Sequence, residues 1–330
     1  MSLAGQGFLF RATSSLKAGS DRSVVRRFRS PAEYWMLLRW ILRRFYTEGN
    51  NSIDQKDCDS RREFAVTVRF CVDMEKAVWY NYIDKSGFEE KRMRNMERYR
   101  QYFTKEYLMG PNSFRLLDEL IRRRPEGVCF HRTLDLGCGY ALTSLFIANE
   151  TDAEHVYAFD LWIPATENYR RIRDNGLEDK IIPIHGDAMD MPFAQEFFDA
   201  IISVDAYHYF GCKEGVFTDK ILPYVKKGGS VMIAVPGLKE QPQGELKQLF
   251  ETWAEGDDSE LFKTASWWEK LLKDECSGRC SVEVKEADCC DIAWQEWFES
   301  GHEYGERDKS FLDRGLYDIL NFLLIYVRKE

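Results

Sequence analysis

At 330 residues the chain has room for one large domain or two ordinary ones, and its 44% hydrophobic content suffices for a packed core. A net charge of -9 leaves no electrostatic footprint for nucleic acid, which needs a surplus of clustered cations. No apolar run of about 18 residues occurs, so no spanning helix and no stable membrane insertion are expected.

The charge is uneven. Residues 1–90 hold 15 Lys and Arg against 12 Asp and Glu, while the remainder is strongly acidic. This predicts two differently constrained pieces, an N-terminal appendage over 1–88 and a main domain over 89–330. The nine cysteines are odd in number and scattered, which predicts reduced thiols in a cytoplasm rather than a disulfide framework. Cys276, Cys280, Cys289 and Cys290 match no paired C-x-x-C spacing and have no histidine beside them, so no metal is expected there.

In chain order, residues 1–30 are rich in Ser, Gly and Arg and promise little order. Pro31 can open a helix with Trp35, Leu38 and Ile41 on one side and Arg39, Arg43 and Arg44 on the other. Such a helix suits docking on the body, a membrane surface or a partner. A polar loop over 48–61 precedes one candidate strand, Phe64–Val72. From Glu89 to Leu108 a charged, helix-like stretch carries Tyr99, Tyr102, Phe103 and Tyr107, suited to packing or to a lid. Gly110-Pro111-Asn112-Ser113 breaks it, and Ser113 is placed to cap a helix Phe114–Arg124 whose Leu116, Leu117, Leu120 and Ile121 share a face.

Beyond this point strand and helix signals alternate. Strands are expected at Thr133–Leu136, His155–Asp160, Ile181–His185, Ala200–Val204, Ser230–Val235, Ser281–Ala287 and Phe322–Val327. Helices are expected at Thr143–Asn149, Ala165–Asn175, Lys213–Val225, Glu245–Glu255, Trp267–Lys273 and Ile292–Ser300. That order predicts a doubly wound, Rossmann-like α/β fold: a mostly parallel sheet with helices on both faces and its ligand at the carboxyl ends of the strands.

The informative residues fall at those ends. Leu134-Asp135-Leu136-Gly137-Cys138-Gly139-Tyr140-Ala141 runs from a strand through a glycine turn into a helix. Asp135, just before the turn, suits a ligand with a cationic end. The dinucleotide fingerprint would need Gly or Ala at position 142, where Leu142 stands. Asp160 closes the next strand and can accept both hydroxyls of a ribose. Asp187, after Gly186, is placed for an adenine amino group, and Asp205 ends the fourth strand. Singly, each glycine is explicable as a tight turn and each acid as solvated or capping; four acids at four consecutive strand ends point to an adenosyl ligand.

The strings LDLGCGYALTS, FDLW, HGDAMDMPF, FDAIISVDAYHYF and ILPYVKKGGSVMIAVPG resemble the class I S-adenosylmethionine-dependent methyltransferase superfamily. The likeness is nearest to a bacterial small-molecule branch that includes ubiquinone/menaquinone-biosynthesis-like and cyclopropane-synthase-like proteins. It covers roughly 93–330 and is specific over 133–236. The resemblance implies a seven-stranded sheet with its last strand antiparallel and S-adenosylmethionine as cofactor. It places Asp135, Gly137 and Gly139 along the methionine part, Asp160 on the ribose, Leu161 against the adenine, and Asp187 and Ala188 around the base. Asp205 would lie near the sulfonium and the substrate. Ala141 stands where many relatives carry glycine; being small, it should cost little.

Methyl transfer from a sulfonium asks the protein to align a nucleophile and exclude water, with no metal. A general base is expected from Asp205-Ala206-Tyr207-His208-Tyr209-Phe210, with His208 first choice, Asp205 as a cofactor or substrate contact, and Tyr207, Tyr209 and Phe210 as an aromatic wall. The expected partner is a small-molecule acceptor rather than nucleic acid; the Asn/Asp-Pro-Pro-Tyr/Phe tetrapeptide of many N-methyltransferases is absent. A homodimer is left open. The rival readings are a cofactor-binding protein without catalysis and a nicotinamide-dependent enzyme.

Overall fold

The computed structural model describes residues 96–330 except Gly256, together with two short strands, Leu9–Ala12 and Val24–Arg27. The chain divides into two units, Met1–Phe88 and Glu89–Glu330. In the first, the two short strands pair antiparallel, Leu9 opposite Arg27 and Ala12 opposite Val24, in a stretch where the sequence suggested no element. The helix expected from Pro31 and the strand expected over Phe64–Val72 lie outside the described residues.

Among the described residues the second unit contains eight strands: β1 Arg132–Leu136, β2 His155–Asp160, β3 Ile181–His185, β4 Phe198–Val204, β5 Val225–Leu238, β6 Lys263–Thr264, β7 Cys280–Glu286 and β8 Leu320–Lys329. Their order is β3-β2-β1-β4-β5-β8-β7, and β6 pairs with β5. Strands β1 to β5 run parallel to one another, while β8 is antiparallel to both β5 and β7. The expected seven strands become eight through β6, a two-residue strand that aligns Lys263 with Gly237 and Thr264 with Leu238.

The sheet is covered on both faces because its apolar residues alternate between two clusters. On β8, Phe322, Leu324 and Tyr326 enter one cluster and Leu323, Ile325 and Val327 the other. On β5, Met232 and Ala234 share the first face and Val231, Ile233 and Val235 the second. Helices α1 Ser113–Arg122, α2 Leu142–Glu150, α3 Ala165–Asp174, α4 Gly244–Trp253 and α6 Cys290–Glu299 contribute to the first cluster. Helix α5 Ala265–Cys276 covers the second with Trp268, Leu272 and Cys276. Helix α7, Glu303–Leu312, was not anticipated; its N-cap is His302, whose Nδ1 accepts from Tyr304 N at 3.2 Å. No helix of the described residues is long and apolar enough to cross a membrane.

Three local expectations change. Asn112, not Ser113, caps α1: its Oδ1 accepts from Phe114 N at 3.0 Å while its Nδ2 donates to Glu296 at 2.7 Å. Of the helix-like stretch expected over Glu89–Leu108, the described part from Met96 opens on two helical residues and continues through turns and one 3-10 segment, Arg100–Tyr102, with Tyr99 and Tyr102 turned inward onto Phe114 at centroid distances of 4.8 and 6.3 Å. The helix expected over Lys213–Val225 becomes a π turn, Phe217–Ile221, followed by a 3-10 turn, Leu222–Tyr224. Pro223, which lacks an N–H, removes a bond that a continuous α-helix would need.

Helices α1 and α6 are tied by buried charge. Arg115 meets Glu296 in a two-pronged pair, Nη2–Oε1 2.6 Å and Nε–Oε2 3.0 Å. Glu119, fully buried, accepts from Arg123 at 2.6 Å and from the amides of Asp288 and Cys289 at 2.8 Å, just ahead of α6. Burial alone would push its carboxyl up, but the Asp288 and Cys289 amides and Arg123 outweigh that and hold it below its ordinary value. A depressed carboxylate stabilises the fold above its unfolded pKa and loses that contribution as pH falls. Glu119→Gln is therefore expected to lower stability by about 2 kcal/mol at neutral pH, with a smaller difference in acid, in urea unfolding of the full chain. An unchanged midpoint at pH 7 would refute this.

Candidate functional site

The site forms where β1, β2 and β4 end and the residue after β3 begins a loop. Gly137 (φ 74°) lies in the left-handed region, and a Cβ there would fall 2.4 Å from that of Ala206, so only glycine fits. Ala141 (φ 58°) opens α2 from the same region, so its cost against glycine is conformational rather than steric, about 1 kcal/mol.

Asp160 holds the turn in shape. Its Oδ2 accepts from Gly139 N at 2.8 Å, and its Oδ1 accepts from Trp162 N at 2.7 Å and Ile163 N at 2.8 Å. The carbonyl of Phe159 accepts from Gly137 N at 2.8 Å and Cys138 N at 3.2 Å. From α3, Asn168 donates to Gly139 O at 2.9 Å and Arg171 to Tyr140 O at 2.9 Å. Asp135 lies beneath the turn, buried. Its Oδ2 accepts from Thr143 at 2.7 Å and Ser144 at 2.6 Å, whereas Oδ1 has no partner among the described residues. Burial pushes its carboxyl up to about 6, against the opposing pull of the two hydroxyls.

Above the turn opens a cavity of about 310 Å³. Of the residues singled out from sequence, Gly137, Gly139, Asp160, Leu161, Asp187, Ala188 and Asp205 line it; Asp135 does not. Asp187 spends Oδ1 on Met189 N at 2.8 Å. Trp162, 61% exposed, and Met109 and Gly110 from the loop before α1 also line the cavity.

Asp205 follows β4 with φ 55°, its amide donating to Ala234 O at 2.8 Å. Its carboxyl has no hydrogen-bond partner among the described residues, and burial raises it to about 7. It lines a second cavity as well, of about 430 Å³, so it stands in the wall common to both. His208 belongs to this second cavity, not the first. It is 3% exposed, its Nδ1 is unpartnered among the described residues, and burial lowers its pKa to about 3, which keeps it neutral. Tyr207 lines neither cavity: it is fully buried in the opposite core cluster, 5.7 Å from Trp268 by ring centroids. Tyr209 lines both cavities and Phe210 the first.

Sequence reasoning missed most of the second cavity. Trp294 and Trp297 on α6 are spaced i, i+3, a pattern that signals a core face. His302, Tyr304 and Asp308 come with the unforeseen α7.

Residues 133–229 match the methyltransferase domain family. A protein of Arabidopsis thaliana described as "Probable protein arginine N-methyltransferase 6" is 29% identical over 133 residues, 40% of this chain and 26% of that protein. Methyltransferase GfsG of Streptomyces halstedii is 30% identical over 105 residues, 32% of this chain and 37% of that protein. The chain thus spans between a quarter and two fifths of the length of these relatives. Among solved structures, phosphoethanolamine N-methyltransferase 2 of Haemonchus contortus in complex with S-adenosyl-L-methionine superposes with a TM-score of 0.52 at 17% identity, covering 67% of this chain and 54% of that one. The family match begins within β1 and ends within β5, and so takes in the glycine turn and all four strand-end acids; over residues 133–229 the chain matches a methyltransferase domain, and its fold is shared with the Haemonchus contortus structure.

Proposed function

We propose that this chain is an S-adenosylmethionine-dependent methyltransferase that acts, in the cytoplasm, on a small-molecule acceptor. The observation that carries the reading is a single cavity at the carboxyl ends of parallel strands, bounded by a glycine turn and by Asp160, Asp187 and Asp205. The donor set fits the cofactor. Acidic groups at the strand ends suit ribose hydroxyls, an adenine amino group and a positive charge, while Leu136, Phe159, Leu161, Ala188 and Phe210 supply apolar wall. Asp135, with an unpartnered oxygen beneath the turn, favours a cationic ligand end above it.

In this reading Gly137, Cys138 and Gly139 receive the methionine portion, Asp160 the ribose, and Leu161, Trp162, Asp187 and Ala188 the base. The bonds of Asp160 to three amides take both lone pairs of Oδ1 and one of Oδ2, which leaves Oδ2 a lone pair for a ribose hydroxyl. When bound, S-adenosylmethionine supplies a methyl group already activated on a sulfonium. The protein aligns the acceptor with it and excludes water; Tyr107, Leu108 and Met109 form an apolar rim for that purpose.

Proton removal falls to Asp205 rather than His208. A carboxyl raised to about 7 is ionised half the time near neutral pH and matches the task, whereas an imidazole lowered to about 3 accepts a proton poorly. Asp205→Asn is expected to cut turnover by about 10²-fold, and His208→Ala by less than tenfold, in a labelled-methyl transfer assay. The reverse ranking would reinstate His208.

Two binding predictions follow from the charges. Asp160→Asn puts an N–H donor against one of the three amides, so affinity for S-adenosylhomocysteine should fall about tenfold or more in calorimetry. Equal affinity would contradict the role of Asp160. The ratio of S-adenosylmethionine to S-adenosylhomocysteine affinity should rise about fivefold or more from pH 6 to pH 8, because ionised Asp205 attracts the sulfonium and not the neutral sulfur. Other ionisable groups lining the two cavities include Asp160, Asp187, Asp308, Lys105, His208, His302, Tyr209 and Tyr304, so the rise must vanish in Asp205→Asn. A panel of small metabolites and arginine peptides in the transfer assay decides the acceptor class; labelling of peptides alone would overturn the small-molecule reading. Binding of NAD in place of S-adenosylhomocysteine would overturn the cofactor.

A further inference from the structure

We propose that the second cavity is the acceptor site and that its acceptor is a small amine, held as an ammonium by ring faces and by the carboxylates of Asp205 and Asp308; this rests on the methyltransferase reading above. The cavity shares Met109, Gly110, Tyr140, Asp205 and Tyr209 with the first, so a molecule in it meets the contents of the first beside Asp205.

Its wall is aromatic. Trp297, His302 and Tyr304 form a column with successive centroids 4.8 and 5.6 Å apart and interplanar angles of 31° and 25°. Trp253 joins Phe262 at 5.2 Å and Trp294 at 6.3 Å. Asp308 organises this wall: Oδ1 accepts from Trp253 Nε1 and Oδ2 from Trp297 Nε1, both at 2.8 Å. With both indole N–H groups spent on one carboxylate, these rings have only their carbon framework and π faces left to offer a ligand. Faces of this kind attract cations.

The charge points the same way. The cavity is lined by two recessed carboxyls, Asp308 with 13% of its side chain exposed and Asp205 with no partner of its own. The lone lining Lys or Arg among the described residues is Lys105, which is exposed at the edge. Arg307, next to Asp308, pairs with Glu255 at 3.0 Å, donates to Trp253 O at 2.7 Å and keeps a longer ion pair with Asp308 Oδ1 at 3.7 Å, but does not line the cavity. An anionic acceptor would meet two carboxylates, whereas a cationic one meets charge opposite to each. An ammonium satisfies both.

The chemistry closes around Asp205. The bound ammonium gives one proton to its carboxylate, which exposes the nitrogen lone pair. That lone pair forms the new N–C bond while the S–C bond breaks and its electron pair stays on sulfur. The proton on Asp205 then leaves to water.

The test compares one phenethyl group carrying a cationic, a neutral or an anionic head. The full chain, saturated with S-adenosylhomocysteine, is titrated calorimetrically with phenethylamine, 2-phenylethanol and 3-phenylpropionate. The amine should bind about tenfold or more tightly than either of the others. Asp308→Asn, and independently Tyr304→Leu at a position 54% exposed, should weaken amine binding about fivefold while S-adenosylhomocysteine affinity stays within twofold. Equal or tighter binding of the alcohol or the carboxylate, or no binding of the amine, overturns the proposal while leaving the cofactor reading intact. Failure to bind S-adenosylhomocysteine removes both.

Discussion

The contact on which the site depends is a carboxylate closing over three backbone amides. Asp160 ends β2 and binds Gly139 N through one oxygen and Trp162 N and Ile163 N through the other. That fixes the glycine turn of β1 against the loop leading to α3. Charge-assisted bonds of this kind are short and strong, and these three leave Asp160 one lone pair, on Oδ2, for a ligand. The cavity floor is thus shaped by the same residue that offers it negative potential.

The parallel sheet explains why such groups converge. Strands β1, β2, β3 and β4 point the same way, so the residues at or just after their ends fall along one edge, where backbone pairing stops and side chains are free to face a ligand. Beyond β4 the chain enters a left-handed residue, Asp205, which redirects it. This leaves Asp205 between two cavities and sends the next residues to different places: Tyr207 into the core, His208 into the second cavity, Tyr209 to both. Burial acts oppositely on the two titrating groups here, raising the acid and lowering the base, so the carboxyl rather than the imidazole titrates near neutrality.

What the sequence made legible was local. Short apolar strands ending in Gly or Asp announced themselves through composition, and the strand-end positions of Asp135, Asp160, Asp187 and Asp205 followed from that reading. The seven longer strands of the second unit match their expected positions, with β5 and β8 running further. The side-chain roles were less legible. Tyr207 was expected in an aromatic wall with Tyr209 and Phe210 because all three follow β4, but the chain turns at Asp205, in the left-handed region, and Tyr207 enters the core. The second cavity draws on α4, α6 and α7, more than 40 residues apart at the extremes, and Trp294 and Trp297 are indistinguishable by spacing from a buried helix face. Asp308 gains meaning only from two tryptophans brought to it by tertiary packing.

The most direct measurement is a crystal structure of the full chain soaked with S-adenosylhomocysteine. The account predicts the ribose hydroxyls within hydrogen-bond distance of Asp160, the adenine between Leu161 and Ala188, and the sulfur on the side of Asp205. A ligand bound elsewhere on the sheet, or bound at this edge with Asp160 out of reach of the ribose, would contradict it.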